Sequence, residues 1–172
     1  DILAARKKGD TRSELAVDMY AYRLKKYIGA YLAALGDVDA IVFSAGVGEM
    51  NPTIREKALS GLKKMGIVIN PEKNALSCTR NAETDITGKG SRVKVFVIPT
   101  DEEFVMTEAT FALPHGTYDT HTNFVYSFQQ PDYRNRDRDR HFAQEVKVSP
   151  GLKRVKASIP RLGGRKIKSA AL

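Results

Sequence analysis

The sequence contains 172 residues, 42% of them hydrophobic, which is enough to form one domain with a packed core. Its apolar runs are far shorter than the ~20 residues of a membrane-spanning helix, and its first residues do not resemble a signal peptide. The formal net charge is +8, and the single cysteine, Cys78, excludes an internal disulfide bond and fits a reducing cytosol.

The first predicted element is a long amphipathic helix from about residue 12 to Gly36. Thr11 and Glu14 have the spacing of a capping box, and apolar residues then recur every three or four positions as far as Leu35. Gly36 is typical of the residue that ends a helix. The helix carries tyrosines at positions 20, 22, 27 and 31. They are interpreted either as the edge of a core-facing surface or as a stacking surface.

Residues 39–52 combine a strand, a glycine-rich turn and a helix start. The run Ile-Val-Phe at 41–43 predicts a strand that is buried on both faces. Gly46 and Gly48 then allow a sharp turn and the close approach of a ligand, since glycine has no Cβ. Asn51 and Pro52 have the positions of an N-cap and a first helical residue. This pattern favours a nucleotide site, although it also occurs where a helix packs tightly on a sheet.

The two common phosphate-binding patterns are absent from residues 46–52. The dinucleotide pattern needs a third glycine where this chain has Asn51, and no Gly-Lys-Ser/Thr follows. The residues alone therefore leave both interpretations of the glycines open.

The next predicted helix begins at Pro52 and ends at Gly66. An apolar stripe runs from Ile54 to Met65, so the charged residues between them are predicted to face solvent; these are Arg55, Glu56, Lys57, Lys63 and Lys64. Residues 67–69 predict a short strand, and residues 72–90 predict a loop with one weak strand.

A further strand is predicted over residues 93–98, where valines alternate with other residues. It leads into residues 100–103, Thr-Asp-Glu-Glu, which have the spacing of a capping box that opens another helix. The order of helices and strands indicates an α/β domain.

Three stretches resemble the C-terminal half of the acetate kinase family: YRLKKYIGAY at 22–31, VDAIVFSAGVGE at 38–49 and VIPTDEE at 97–103. The resemblance is nearly continuous over residues 1–110. It implies one half of the ribonuclease-H-like, actin-like ATPase fold that acetate and sugar kinases share with Hsp70 and actin. It also implies a cytoplasmic enzyme that uses ATP and Mg²⁺ to convert acetate to acetyl phosphate, with ADP as the other product.

The same resemblance implies particular site residues. Gly46, Val47, Gly48 and Glu49 match the family's adenosine-contacting turn, whereas Met50 replaces the family's usual Asn, so we expect altered nucleotide contact. Glu102 matches a carboxylate near the catalytic Mg²⁺, and oxygen ligands suit that ion. Without the resemblance, the position of Glu102 in the first turn of a helix is enough to explain an acidic residue, because of the helix dipole.

The resemblance implies further that this half of the enzyme is incomplete alone. The family's acyl pocket, transition-state arginine and histidine, and phosphate-binding loop match nothing in this chain, so no catalytic residue is assigned. We expect weak nucleotide binding and no turnover from the 172 residues alone. The family's tendency to pair through C-terminal halves implies a homodimer.

Residues 111–172 differ in composition from residues 1–110. The first 110 residues have a net charge of only +1, so the last 62 carry +7. Proline, glycine and the run RNRDRDR at 134–140 interrupt helical periodicity, so we expect an irregular basic tail. It is interpreted either as a disordered or non-native extension or as a nucleic-acid-binding arm with interleaved aromatic residues. Its histidines at positions 115, 121 and 141 are too sparse to predict a zinc site.

Overall fold

The computed structural model describes residues 2–154. The helices are α1 (Ile2–Lys7), α2 (Thr11–Leu35), α3 (Ala45–Met50), α4 (Pro52–Leu59), α5 (Pro71–Leu76), α6 (Glu102–Ala112) and α7 (Arg136–Val148). The strands are β1 (Ala40–Phe43), β2 (Thr84–Asp85) and β3 (Lys94–Val97), and 3₁₀ helices cover Leu62–Met65 and Ser127–Gln129. None of the described helices has the length and apolar character needed to cross a membrane.

The three strands form one small sheet in the order β1-β3-β2. β1 pairs in parallel with β3, with Ala40 opposite Lys94 and Phe43 opposite Val97, whereas β2 is antiparallel to β3. The chain between the two parallel strands contains α3, α4 and α5. The predicted α/β arrangement is therefore present, and the parallel pair brings the carboxyl ends of β1 and β3 to the same edge of the sheet.

The core lies between this sheet and the helices that cover it. Buried and less buried side chains alternate along β3 as predicted: Val95 and Val97 are fully buried, whereas Lys94 is exposed. The rest of the cluster comes from α2, α4 and the connecting segments: Ile28, Phe43, Ala58, Leu59, Leu62, Ile67, Ile86 and Val93.

The long second helix matches its prediction closely. It ends at Leu35, and Gly36 adopts a φ of 77° while its N–H donates to the Leu32 carbonyl. Its N-cap is Asp10, one residue before the predicted capping box, and the Asp10 carboxylate accepts a hydrogen bond from the Ser13 N–H. Aspartate is one of the strongest N-cap residues, which explains the earlier start.

The strand β1 is present, but the prediction that both its faces are buried is wrong. β1 lies at an edge of the three-stranded sheet, and the Val42 side chain is 50% exposed. Phe43, which points to the opposite face, is buried. An apolar run thus located the strand but did not show which face is covered.

The glycine-rich segment after β1 is a short helix, α3, and not the predicted turn. The sharp change of direction occurs one residue earlier than Gly46, at Ala45, which has a φ of 58°. Pro52 begins α4 as predicted, although the Asn51 side chain makes no capping hydrogen bond. The predicted helix to Gly66 is interrupted after Leu59, and a 3₁₀ helix completes the segment.

Two predictions for residues 67–90 are wrong. Only Ile69 of the predicted strand 67–69 pairs, in an isolated bridge with Thr87. Residues 72–76, predicted as loop, belong to α5, which begins where the Asn70 side chain accepts from the Lys73 N–H at 3.0 Å. Asn70-Pro71 has the N-cap and N1 pattern that would have predicted this helix.

The tail after residue 110 contains a helix, α7, that was not predicted. Residues 117–135 are irregular apart from one 3₁₀ turn, but the Arg-Asp run that was expected to interrupt helical structure lies mostly in α7. The Asn135 side chain caps α7 by accepting from the Arg138 N–H at 2.8 Å. The part of the tail after residue 154 lies outside the described residues.

Arg55 contradicts its predicted place on a solvent-facing surface. Arg55 is fully buried. Its guanidinium donates hydrogen bonds to oxygens of four residues, which lie on α3 and α5 or directly after α5. Nη1 donates to the carbonyls of Gly48 and Glu49 at 2.6 and 2.9 Å. Nη2 donates to the carbonyls of Asn74 and Ser77 at 2.9 and 2.7 Å, and Nε donates to Asn74 Oδ1 at 2.8 Å.

Four of these acceptors are backbone carbonyls at the ends of α3 and α5, where few donors within the helix remain; the Asn74 carbonyl also accepts from the Ser77 N–H at 3.3 Å. Carbonyls at a helix C-terminus carry partial negative charge, so a cation there is stabilised without a carboxylate. Burial lowers the pKa of Arg55, while the neighbouring Cys78 acts in the opposite direction. Arg55 therefore joins α3, α4 and α5 into one unit.

We predict that Arg55→Met destabilises the protein by about 3–5 kcal/mol, because the substitution leaves several buried oxygens without a donor. Arg55→Lys should also be destabilising, since one ammonium group cannot reach both helix ends. Glu56→Ala, at the adjacent exposed position, is the control and should change stability by less than about 0.5 kcal/mol. Urea denaturation of the three variants measures this; an Arg55→Met variant as stable as the control would contradict the structural role.

Candidate functional site

A cavity of about 510 Å³ opens at the carboxyl ends of β1 and β3. Clefts at this edge of parallel strands are where open α/β sheets bind ligands. Most of its lining residues come from α3, from the segment before β2 and from the segment that leads from β3 into α6. They are Ala45, Gly46, Glu49, Arg80, Asn81, Thr100, Asp101, Glu102 and Glu103. The tail contributes Asn135, Asp137, Arg138 and His141.

Of the residues predicted to contact nucleotide or metal, the structure brings Gly46, Glu49 and Glu102 together around this cavity. Val47 and Met50 do not line it; their side chains are 43% and 39% exposed. The five residues predicted as one nucleotide-contacting turn thus have different surroundings, because a helix directs successive side chains to different sides.

The two glycines have different surroundings. A Cβ at Gly48 would lie 3.4 Å from the backbone carbon and the Cβ of Phe43, which is an ordinary van der Waals distance. A Cβ at Gly46 would lie 3.6 Å from Arg80 Nη2, at the cavity. Gly48 therefore faces the end of β1, whereas Gly46 presents bare main chain to the cavity.

The buried carboxylate of Glu49 connects α3 to the segment that follows β3. Its side chain is almost fully buried, and Oε1 accepts from the Thr100 N–H at 2.9 Å and the Thr100 hydroxyl at 3.1 Å. Thr100 follows β3, so this pair fixes α3 against the segment that leads into α6. Thr100 was predicted to cap α6, but the cap is Asp101, which accepts from the Phe104 N–H.

Glu102 and Glu103 follow Asp101 in the first turn of α6, and both are exposed at the cavity. Residues 2–154 contain no group of three or more His, Cys, Asp or Glu side chains arranged to hold a metal ion. A magnesium ion bound with a nucleotide needs only one or two carboxylates, because phosphate oxygens and water supply its other ligands. The two glutamates fit such a shared site.

Arg80 is a residue of the site that the sequence did not reveal. It lies in a segment without periodicity, and within residues 2–154 its guanidinium makes no hydrogen bond or ion pair. Its position beside Gly46 places a free cation at the cavity wall. No motif singled out this arginine from the other arginines of the chain.

The tail is attached to the domain through Glu83. Glu83 Oε1 pairs with Arg138 Nη1 at 2.9 Å, and Oε2 pairs with Arg154 Nε at 3.0 Å. Arg154 also pairs with Asp139, and Asn81 donates to Glu145 Oε1 at 2.8 Å. We call the Glu83, Arg138 and Arg154 group the Glu83 clamp.

The clamp affects the ionisation of Glu83. Partial burial opposes its negative charge, but a backbone hydrogen bond and the two guanidinium groups outweigh burial, so the pKa of Glu83 is lowered. Arg140 pairs with Asp137 at 3.0 Å, so several arginines of the basic tail are bound to carboxylates. That pairing reduces the number of arginines available to a nucleic acid.

Comparisons with known proteins agree on one family. A family model described as the acetokinase family matches residues 1–108. The acetate kinase of Treponema pallidum is 50% identical over 163 residues, which cover 94% of this chain and 36% of that protein. The acetate kinase of Trichlorobacter lovleyi is 56% identical over 133 residues, or 77% of this chain and 32% of that protein.

Two solved structures are also similar. The Porphyromonas gingivalis acetate kinase aligns with a TM-score of 0.57 and 44% identity, covering 66% of this chain and 28% of that one. A propionate kinase from Francisella tularensis aligns with a TM-score of 0.52 and 33% identity, covering 59% and 25%. The chain thus spans about a third of the length of the curated relatives. The T. pallidum match also continues past residue 110 into the tail.

We predict a pH dependence for the clamp. A lowered pKa means that ionised Glu83 contributes stability above its ordinary value of 4.5, and that this contribution is lost as the pH falls through the lower folded-state value. Glu83→Gln should therefore destabilise the protein at pH 7 and make progressively less difference below about pH 4.5.

Denaturation curves of Glu83→Gln and wild type between pH 7 and pH 3 measure this difference. Glu56→Gln is the matched control, since Glu56 is exposed and has no ion pair within the described residues. A destabilisation by Glu83→Gln that stays constant over this range would show that the clamp is not electrostatic.

Proposed function

The chain belongs to the acetokinase family, whose members are carboxylate phosphotransferases, and we propose that it forms the nucleotide-binding part of an acetate kinase. In this proposal the whole enzyme transfers a phosphoryl group from ATP to acetate, giving ADP and acetyl phosphate. The observation that carries the proposal is that Gly46 and Glu102 line the same cavity. The family resemblance relates Gly46 to the adenosine of ATP and Glu102 to the Mg²⁺ ion.

The size of the cavity and the main chain that it exposes support a nucleotide ligand. Its volume of about 510 Å³ lies within the range of roughly 300–1,000 Å³ that is usual for small-molecule sites. Gly46 allows a purine or ribose to lie against main chain, because no side chain intervenes. Glu49, bound to Thr100, keeps that main chain in place.

Glu102 and Glu103 are the residues that would hold Mg²⁺ together with nucleotide phosphates. When bound, this ion would neutralise negative charge on the phosphate oxygens. The chain's own contribution is to fix the two carboxylates in the first turn of α6, where Asp101 caps the helix. Met50 lies away from the cavity, so in our proposal it does not replace the amide contact of the family's usual asparagine.

We further propose that these 172 residues bind nucleotide weakly and do not catalyse the transfer alone. Phosphoryl transfer depends on positioning both substrates and on neutralising the charge of the moving group. The family resemblance assigns the acyl pocket and the transition-state arginine and histidine to segments that this chain does not match. A cytoplasmic location is part of the same family-based proposal.

The proposal includes a homodimer formed through this part of the enzyme. Leu15, Met19 and Tyr22 are spaced by four and three residues, so they share one side of α2. Their side chains are 60%, 64% and 64% exposed. An apolar stripe of this kind suits association between two copies better than exposure to water.

We predict that the 172-residue chain binds ADP in the presence of Mg²⁺ and that Gly46→Val weakens this affinity by about tenfold or more, because the added side chain extends into the cavity. Gly29→Val is the matched control: Gly29 is also helical, but a Cβ there meets nothing within 4 Å. Titration calorimetry of the wild type and both variants measures the affinities. Equal affinities for Gly46→Val and Gly29→Val would place the nucleotide elsewhere.

The metal is tested in the same titrations. Mg²⁺ should strengthen ADP binding to the wild type, and Glu102→Gln should reduce that gain, since an amide is a weaker ligand for a hard cation.

A coupled acetyl phosphate assay tests the proposal that the 172-residue chain does not catalyse phosphoryl transfer alone. Clear turnover by the 172-residue chain would refute the proposed incompleteness.

We predict for the dimer that Met19→Asp shifts the chain to monomers in sedimentation velocity runs, because a charge cannot be buried between apolar stripes. Met106→Asp is the control, since Met106 is 60% exposed on a different helix, α6. A monomeric wild type, or a Met19→Asp variant that remains dimeric, would contradict an interface on this side of α2.

A further inference from the structure

We propose that α7 in the basic tail is a wall of the nucleotide site and that His141, together with Arg80, binds the nucleotide's phosphate groups. This inference rests on the proposed function. It gives residues 135–141 a role at the site, in place of either a nucleic-acid arm or an extension without function.

The first support is the position of α7. Four residues of the tail line the same cavity as Gly46 and Glu102: Asn135, Asp137, Arg138 and His141. They come from the helix cap and the first turns of α7, which is 13 residues long. A nucleotide in this cavity would therefore contact the tail as well as the α/β domain.

The second support is that α7 is fixed to the domain through polar bonds. The Glu83 clamp joins it to the segment before β2, and the bond between Asn81 and Glu145 joins it at a second point. Asn81 is itself a cavity residue. The contacts that hold α7 thus lie beside the cavity and fix the distance between its two sides.

The third support comes from the charged groups that remain unpaired. Within residues 2–154, Arg138 is bound to Glu83, Asp137 to Arg140 and Glu49 to Thr100. Asp101 is used as the cap of α6. These charges are therefore not available to a ligand unless an existing bond is broken.

The side chains of the cavity that make no such bond within the described residues are two basic ones, Arg80 and His141, and two carboxylates, Glu102 and Glu103. A phosphate group needs hydrogen-bond donors such as guanidinium and imidazole N–H groups. Its accompanying metal ion needs carboxylates. The free groups therefore match a metal–phosphate pair.

Titrations with two ligands test this assignment. ADP carries the phosphates that His141 would contact, whereas adenosine carries none. We expect His141→Ala to weaken ADP binding by about five- to tenfold and to leave adenosine binding unchanged. Arg80→Ala should show the same selectivity. Arg136→Ala is the matched control, because Arg136 is a basic residue of α7 that does not line the cavity.

The clamp supplies a second measurement on the full chain. Glu83→Gln should weaken ADP binding and accelerate hydrogen exchange of the backbone amides in residues 136–148. Tighter ADP binding by Glu83→Gln would mean that α7 obstructs the cavity, and it would overturn the inference. Unchanged ADP affinity in His141→Ala would also overturn it.

The outcomes separate this inference from the proposed function. If the wild type binds ADP and Gly46→Val does not, while His141→Ala and Glu83→Gln bind as well as the wild type, the proposed function stands and the role of α7 fails. If the wild type binds neither ADP nor adenosine, the proposed function fails and the inference fails with it.

Discussion

A buried arginine without a carboxylate partner holds this domain together. The guanidinium of Arg55 donates hydrogen bonds to carbonyls at the ends of two short helices, α3 and α5, and to one side-chain amide. Short helices are marginally stable alone, since few hydrogen bonds offset the cost of starting them. Arg55 satisfies their terminal carbonyls and brings a positive charge to the negative ends of both helices. Arg55 therefore couples the ends of α3 and α5, while the Asn70 cap and Pro71 begin α5 independently of it.

The candidate site follows from that constraint. Two of the carbonyls that Arg55 binds belong to Gly48 and Glu49, so the same residue that stabilises the domain also orients α3 at the cavity. The Glu49 carboxylate then connects α3 to Thr100 beyond β3. These contacts fix the edge of the sheet where the two parallel strands end. The Glu83 clamp adds the tail to this arrangement by polar contacts that depend on charge.

The sequence predicted those parts of the fold whose signal is local. The periodicity of α2, with Gly36 at its end, predicts a helix. The alternation of valines along β3 predicts a strand. The helix α3 was missed because two of its six residues are glycines and because Arg55, which binds its carbonyls, lies outside it. Arg55 itself was misplaced because a single charged residue beside an apolar stripe gives no sign of being buried.

The site was predictable only in part, for a similar reason. Family resemblance drew attention to Gly46, Glu49 and Glu102, which do lie around one cavity. It gave no indication of Arg80 or His141, because their nearness to Gly46 depends on contacts between segments far apart in the chain.

The most direct test of a nucleotide site at the carboxyl ends of β1 and β3 is an amide NMR titration of the 15N-labelled chain with Mg²⁺ and ADP. We expect saturable shifts centred on Gly46, Thr100 and Glu102. Another cavity is lined by Cys78, Thr79 and Leu152, among others. Shifts centred on those residues, with the amides around Gly46 unaffected, would contradict a nucleotide site at the carboxyl ends of β1 and β3.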